Sequence, residues 1–153
     1  MLPMPFPVVL GHEGSGIVVE VGKAVTGVSQ GDHVVLSFDS CGHCPSCDVD
    51  APAYCHSWFP LNFGGGRSDG TTALRGTHGE AIHSHIFGQS SFATHALVHE
   101  RNLVKVDKDL PLELLAPLDA ASRPEQALSS MSSGQAWIAR LRSLAQARSV
   151  PRL

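Results

Sequence analysis

The four cysteines of the chain stand close together in Cys41-Gly-His-Cys44-Pro-Ser-Cys47 and at Cys55, spaced C-x-x-C-x-x-C-x7-C. Tetrahedral Zn²⁺ takes four soft donors at about 2.3 Å, and short C-x-x-C steps let turns present several thiolates to one point. A site made of four protein thiolates leaves no open coordination position. The spacing therefore predicts a structural zinc site over residues 39–56, worth on the order of 10 kcal/mol to the folding of this loop.

The alternative for these cysteines is a pair of disulfide bonds in a small secreted domain. The start of the chain, Met1-Leu-Pro-Met-Pro-Phe-Pro-Val-Val-Leu10, is apolar but has three prolines and no basic residue, which is not typical of a signal peptide. Because disulfides are rare in the cytosol, we favour the metal site and expect a cytoplasmic protein. A zinc-ribbon nucleic-acid binder would need two separated C-x-x-C knuckles and a basic face, and the sequence has neither.

The composition favours a soluble, turn-rich domain that is mainly β with minor helix. Hydrophobic residues make up 42% of the 153 residues and charged residues 16%, with 15 glycines and 10 prolines. The net charge of −3 favours neither nucleic acid nor anionic membrane, and no apolar run is long enough to cross a bilayer. Residues 1–118 carry six basic and twelve acidic side chains, whereas residues 119–153 carry five and two, so we expect a boundary between them.

Local patterns predict short strands separated by turns. Apolar, β-branched runs predict strands at 16–22, 33–38, 91–99 and 102–106. Residues 39–55 are expected to be irregular, and the Gly- and Ser-rich residues 57–80 to form turns. Residues 111–116 predict a short helix with Asp109 as its cap.

A second motif, Gly11-His12-Glu13-Gly14, precedes the first predicted strand. Its glycines run in the reverse order of the dinucleotide fingerprint. A lone histidine such as His12 is more often an ordinary hydrogen-bonded residue than a metal ligand. Together with Gly31-Asp-His-Val34 and the cysteine loop, however, the motif resembles the catalytic domain of zinc-dependent medium-chain alcohol dehydrogenases. Pro52-Ala-Tyr-Cys55, Leu61-Asn-Phe63 and Phe87-Gly-Gln-Ser-Ser-Phe-Ala-Thr94 are most similar to the NAD-dependent aryl-alcohol (benzyl alcohol) branch. The resemblance covers residues 7 to about 118.

This resemblance implies a partial GroES-like β-barrel domain over residues 1–118, with a zinc-binding lobe and without the Rossmann domain. It implies that His12 is a catalytic zinc ligand, that Glu13 is an acidic group beside that metal, and that Phe92 lies near the substrate pocket or in the core. In the family the catalytic zinc acts as a Lewis acid on the alcohol oxygen, and hydride passes to NAD on the Rossmann domain. The parent enzyme, expected to be a homo-oligomer, would oxidise primary aromatic alcohols to aldehydes; no residue here is predicted to bind NAD.

Two further catalytic zinc ligands of the family, both cysteines, have no counterpart in the chain. One lies upstream of the Gly-His-Glu motif, and the other lies in a Gly-Cys-Gly segment after the counterpart of Leu118, where this chain has Asp119-Ala-Ala. One histidine cannot hold zinc where the family uses three protein ligands. We therefore expect this chain alone to be inactive. The alternative function is a non-catalytic zinc-binding module or an inert gene fragment.

The tail, residues 119–153, predicts a frameshift. Suppose that one nucleotide was lost after the Leu118 codon. Codons that encode the observed tail, read back by one base, can then encode Gly-Cys-Gly-Ile-Gln-Thr-Gly and, further on, Leu-Ala-Val-Phe-Gly-Ala-Gly-Ala-Val-Gly. The first segment holds the missing cysteine, and the second is an apolar strand leading into the dinucleotide fingerprint. We accordingly expect weak helix or disorder in the tail. The alternative is a divergent C-terminal segment with a basic amphipathic helix over residues 135–148.

Overall fold

The structure is a computed structural model that describes residues 4–117. The tail at 119–153 lies outside the described residues, and so do the expectations of a frameshift product, of weak helix or disorder, and of a helix over residues 135–148.

Two small antiparallel sheets make up the β structure of the described part. The strands are β1 (Ser15–Ile17), β2 (His33–Leu36), β3 (Leu74–Arg75), β4 (Ala81–Ile82) and β5 (Leu103–Val106). The larger sheet has the order β1-β2-β5, and β3 pairs with β4 in the smaller one. In the larger sheet Ser15 lies opposite Val35, and His33 lies opposite Val106, so β2 is the central strand.

The helices are short and lie in the connections between strands. They are α1 (Pro45–Asp48), α2 (Trp58–Phe63) and α3 (Leu112–Leu115), with 3₁₀ turns at Pro52–Tyr54, Ile86–Gly88 and Glu100–Asn102. Within residues 4–117 no helix has the length and apolar character that a bilayer crossing requires.

The expectation of a mainly β domain with minor helix is confirmed, and β2, β5 and α3 lie where they were predicted. The strand predicted at 91–99 is wrong: Ser91 and Phe92 instead turn back and donate backbone hydrogen bonds to Gly11 and Leu10. Residues 39–63, expected to be irregular chain and turns, contain α1 and α2. Asp109 does not cap α3, because Pro111 occupies the N-cap position and makes no side-chain cap bond.

A small valine-rich core lies on one face of the larger sheet. Val28, Val34 and Leu36 are buried there, and Val18, Val25, Val98 and Leu103 pack around them. Helix α3 lies against the same sheet, with Leu115 only 2% exposed and the Ser15 hydroxyl donating to the Leu112 carbonyl. β-branched side chains suit such a pleated, half-buried surface. The sheet thus fixes residues 11–14, which lead into β1, relative to residues 37–40, which follow β2.

We expect an acid-dependent loss of stability at Asp32, in the turn before β2. Its carboxylate lies 2.7 Å from the Lys105 ammonium and accepts a hydrogen bond from the Ser29 backbone, and these partners lower the pKa of Asp32 below its usual 3.8. The stabilisation is therefore complete above pH 3.8 and is lost as the pH falls through the lower native pKa. Asp32→Asn should lower the melting temperature slightly at neutral pH, and the melting temperature of this variant should decrease less steeply than that of the wild type as the pH falls. Thermal unfolding across pH tests this, with the exposed Asp109→Asn as control; an unchanged acid slope in Asp32→Asn would contradict it.

Candidate metal centre and histidine loop

The fold brings the four predicted cysteines together. The sulfur atoms of Cys41, Cys44, Cys47 and Cys55 all lie within 4.8 Å of one another, with Cys41–Cys47 at 3.9 Å and Cys44–Cys47 at 3.6 Å. Four sulfurs at about 2.3 Å from a tetrahedral zinc are about 3.8 Å apart, so the thiol group matches the size of a Zn²⁺ site. Among residues 4–117 it is the only group of three or more potential ligand side chains with this closeness.

Local backbone preferences shape the cysteine loop. Pro45 occupies the first turn of α1, where its missing N–H costs nothing, and the extended Cys44 precedes it as the N-cap residue. Gly42 has φ +76°, a left-handed conformation that glycine adopts without strain. The space that a Gly42 side chain would fill is occupied by the Arg101 guanidinium. The 3₁₀ turn Pro52–Tyr54 then returns the chain to Cys55.

Two of the thiols, Cys44 and Cys55, differ in acidity because their surroundings differ. Backbone N–H groups of His56 and Cys47 donate to the Cys44 sulfur and lower the pKa of Cys44 to about 6. Burial raises the pKa of Cys55 to about 11, although the Cys41 N–H donates to its sulfur at 3.3 Å. Zinc binds thiolates and releases their protons, and N–H groups directed at sulfur favour the thiolate form. The donor set and its hydrogen bonds therefore fit a structural Zn²⁺.

A second set of contacts holds the loop that carries His12. Gly11 has φ +111°, and its carbonyl accepts from the Ser91 N–H. The buried Gln89 amide donates to the His12 carbonyl at 3.0 Å. On the other side the Leu36 N–H donates to the Gly14 carbonyl at 2.8 Å. The His12 backbone is thus fixed between β2 and residues 89–92.

The side chains of His12 and Glu13 remain accessible. They are 50% and 42% exposed, and His12 Nε2 lies 3.9 Å from Glu13 Oε1. Neither belongs to the cysteine group, and the described residues form no other group of three or more close ligand side chains. One imidazole without partners does not make a three-ligand catalytic zinc site. The roles expected for His12 and Glu13 therefore stay predictions.

An aromatic cluster lies beside the His12 ring. Phe87 is 5.1 Å from the His12 ring centre and contacts Trp58 and Phe63 edge-on, at 5.8 and 5.2 Å. Phe59, half exposed, contacts Phe63 with the rings tilted and their centres 5.1 Å apart. We call these four residues the aromatic wall. No role was predicted for them from the sequence: Phe63 and Phe87 stand only in stretches that carry the family resemblance, and Trp58 and Phe59 in a segment expected to form turns. Phe92, by contrast, is 75% exposed, so its expected place in the core is wrong.

Three residues around these loops, buried or strained, stand in stretches that carry the family resemblance, but no role was predicted for them from the sequence. Asn62 is fully buried in α2, Gln89 is 3% exposed, and Phe87 has a left-handed φ of +53°. An asparagine within the apolar run Trp-Phe-Pro-Leu-Asn-Phe was the one local signal for Asn62. Nothing adjacent in sequence indicated the partners of Gln89.

The sheet, the thiol group and the half-exposed histidine loop together define a small β domain with a cysteine cluster that could hold a metal ion. Residues 1–108 match the family described as "Alcohol dehydrogenase GroES-like domain". The chain belongs to this alcohol dehydrogenase family.

Individual relatives support the same placement. The chain is 56% identical over 117 residues to a geraniol dehydrogenase of Castellaniella defragrans, covering 76% of this chain and 31% of the relative. A crystal structure of an alcohol dehydrogenase zinc-binding domain protein from Burkholderia ambifaria superposes with a TM-score of 0.75 at 56% identity, over 76% of this chain and 32% of that one. The crystal structure of benzyl alcohol dehydrogenase from Acinetobacter calcoaceticus superposes with a TM-score of 0.71 at 52% identity, over 76% of this chain and 31% of that one. This chain thus spans about a third of the length of these relatives.

Proposed function

We propose that the chain is the zinc-lobe part of an NAD-dependent dehydrogenase for primary alcohols whose CH₂OH group is attached to an aromatic ring or a double bond. The observation that carries the proposal is the aromatic wall beside the accessible His12 ring. Two relatives are named for geraniol and for benzyl alcohol, and both alcohols have an sp² carbon next to the carbinol carbon. Aromatic side chains offer large apolar contact area to such planar groups.

In this proposal the described residues perform binding and orientation. Phe87, which Trp58 and Phe63 contact edge-on, presents an apolar surface to the His12 ring. The Gln89 bond holds the His12 carbonyl, which keeps the imidazole over that surface. A catalytic zinc supplies Lewis acidity in this family, but the described residues offer it one ligand, so no reaction step is assigned to it here. NAD would bind outside residues 4–117.

The structural zinc would be held by Cys41, Cys44, Cys47 and Cys55 and would stabilise the loop over residues 39–56. A reducing compartment such as the cytoplasm suits a centre of four free thiols.

We propose in addition that residues 119–153 are read out of frame, and that residues 1–118 are the family part of the chain. The other frame permits a Gly-Cys-Gly segment and a dinucleotide fingerprint in the order that the family uses.

The experiment compares two proteins. One is the 153-residue chain; the other comes from the same locus with its upstream coding sequence and one nucleotide inserted after the Leu118 codon. We expect NAD-dependent oxidation of benzyl alcohol or geraniol by the second protein only, followed as NADH absorbance. His12→Ala in that protein should lower kcat/KM at least about 1000-fold, since a lost metal ligand removes the electrophile. His95→Ala, at an exposed position, is the matched control.

Turnover by the 153-residue chain would contradict its expected inactivity, and full activity of His12→Ala would contradict the assigned role of His12. An intact, in-frame junction at codons 118–119, shared by full-length genes, would contradict the frameshift.

A second candidate function, a non-catalytic zinc-binding module, is favoured by the completeness of the thiol group within the described residues. It predicts one zinc per chain and no turnover from either protein.

A further inference from the structure

We propose that Asn62 is the positioning residue of the four-thiol centre, acting by joining the two ends of the loop that carries the cysteines. Asn62 lies in α2, and its side chain is 0% exposed. Its Oδ1 accepts from the Asp39 N–H at 2.8 Å. Its Nδ2 donates to the Asp39 carbonyl at 2.9 Å and to the Trp58 carbonyl at 2.7 Å.

These bonds link two points that flank the metal ligands. Asp39 lies two residues before Cys41, and Trp58 lies three residues after Cys55. One amide group therefore bridges the segment that follows β2 to the helix that follows the last cysteine. Cys41 and Cys55, the two ligands closest in sequence to this bridge, are themselves joined: the Cys41 N–H donates to the Cys55 sulfur at 3.3 Å.

The bridge uses both halves of the amide. A side-chain amide has two N–H donors and a carbonyl acceptor, and Asn62 uses all three of these groups on main-chain partners. A carboxylate lacks the two donors, and an apolar side chain lacks donors and acceptor alike. Asparagine is consequently suited to satisfy Asp39 and Trp58 together at a position shielded from solvent.

A substitution at Asn62 should lower the affinity for the metal while all four cysteine ligands remain in the chain. Asn62 has no hydrogen bond to a sulfur atom, so the four thiolates remain available when it is changed. Without the bridge, the loop must lose more conformational freedom on closing around the ion. Residues that orient metal ligands in this indirect way typically change affinity by about 10–100-fold.

The test uses the full 153-residue chain carrying Asn62→Ala, with Asn62→Ser as a milder variant. Zn²⁺ affinity is measured by competition with a chromophoric chelator, and Co²⁺ is used to record the thiolate charge-transfer and d–d bands. We expect Zn²⁺ affinity to fall about 10–100-fold in Asn62→Ala and the Co²⁺ bands to shift or broaden. Asn62→Ser, which keeps one hydrogen-bonding group, should lie between the wild type and Asn62→Ala.

The matched control is Gln89→Ala, which removes another buried amide that donates to a backbone carbonyl, that of His12. We expect it to lower the unfolding midpoint while Zn²⁺ affinity stays within about 2-fold of the wild type and the Co²⁺ bands stay unchanged. Equal losses of affinity in both variants would show a general effect of stability and overturn the proposal. Wild-type affinity in Asn62→Ala would overturn it as well; should that variant not fold, Asn62→Ser decides by the same criteria. The outcome does not depend on dehydrogenase activity.

Discussion

Replacing Cys47 with serine should abolish tight zinc binding and unfold the loop over residues 39–56. The Cys47 sulfur lies 3.9 Å from that of Cys41 and 3.6 Å from that of Cys44, so it is central to the group. Structural zinc sites in small domains contribute about 10–16 kcal/mol at neutral pH, and a serine hydroxyl is a poor substitute for a thiolate. A loss of this size is comparable to the total stability of an ordinary domain, about 5–15 kcal/mol.

Metal content by atomic spectroscopy and limited proteolysis of the loop measure the effect. The wild-type chain should retain about one zinc per chain after gel filtration, as expected for a closed four-ligand site. Ser46→Ala is the matched control, because it changes the neighbouring residue in α1 and leaves all four sulfurs in place. We expect Ser46→Ala to keep its zinc and its resistance to proteolysis. One tightly held zinc in Cys47→Ser would show that the thiols do not form a single centre.

Gly11→Ala should destabilise the domain by about 4 kcal/mol, which combines a strained backbone with a local clash. Gly11 has φ +111°, which L side chains rarely adopt. A Cβ at this position would collide with the Phe92 nitrogen and come within 2.7 Å of the Ser91 nitrogen. The Ser91 N–H donates to the Gly11 carbonyl, so relief of the clash would break the contact that holds the His12 loop.

Denaturant unfolding of Gly11→Ala and Gly16→Ala measures the difference directly. Gly16, five residues away in β1, has no atom within 4 Å of an added Cβ and lacks a left-handed φ. Alanine there should be neutral or stabilising by up to about 1 kcal/mol, because it reduces the entropy of the unfolded chain. Similar free energies of unfolding for the two variants would contradict the assigned constraint at Gly11.

The parts of this domain that local sequence determines were predictable, and the parts that distant contacts determine were not. β2 and β5 are short β-branched runs, and the four cysteines are so close in sequence that their grouping needs only one loop. Residues 91–99 have the same β-branched and aromatic character, yet Ser91 and Phe92 bond to Gly11 and Leu10, about eighty residues earlier. Strand propensity describes a fit to a sheet, and no neighbouring strand pairs with this segment in the described structure.

The candidate site shows the same division. The Gly-His-Glu motif indicated His12. The aromatic wall depends on α2, a short helix beginning at Trp58, and the glycines that follow this helix led us to expect turns there. Phe87 joins that wall from a 3₁₀ turn with a left-handed φ, a conformation that its side chain does not favour. Asn62 and Gln89 bond to backbone groups 23 and 77 residues away in sequence. Such distant hydrogen-bond partners cannot be predicted from residue patterns or from the spacing of motifs.

The guanidinium of Arg101, in the turn that precedes β5, lies against Gly42 of the cysteine loop, where a Gly42 side chain would be. Because Leu103 to Val106 pair with the central strand, we expect an ordered cysteine loop to stabilise this pairing as well. Ligands that bind only the folded form stabilise every element that unfolds together with their site. The melting of β5 should therefore follow the free zinc concentration of the solution, although none of its residues is a metal ligand.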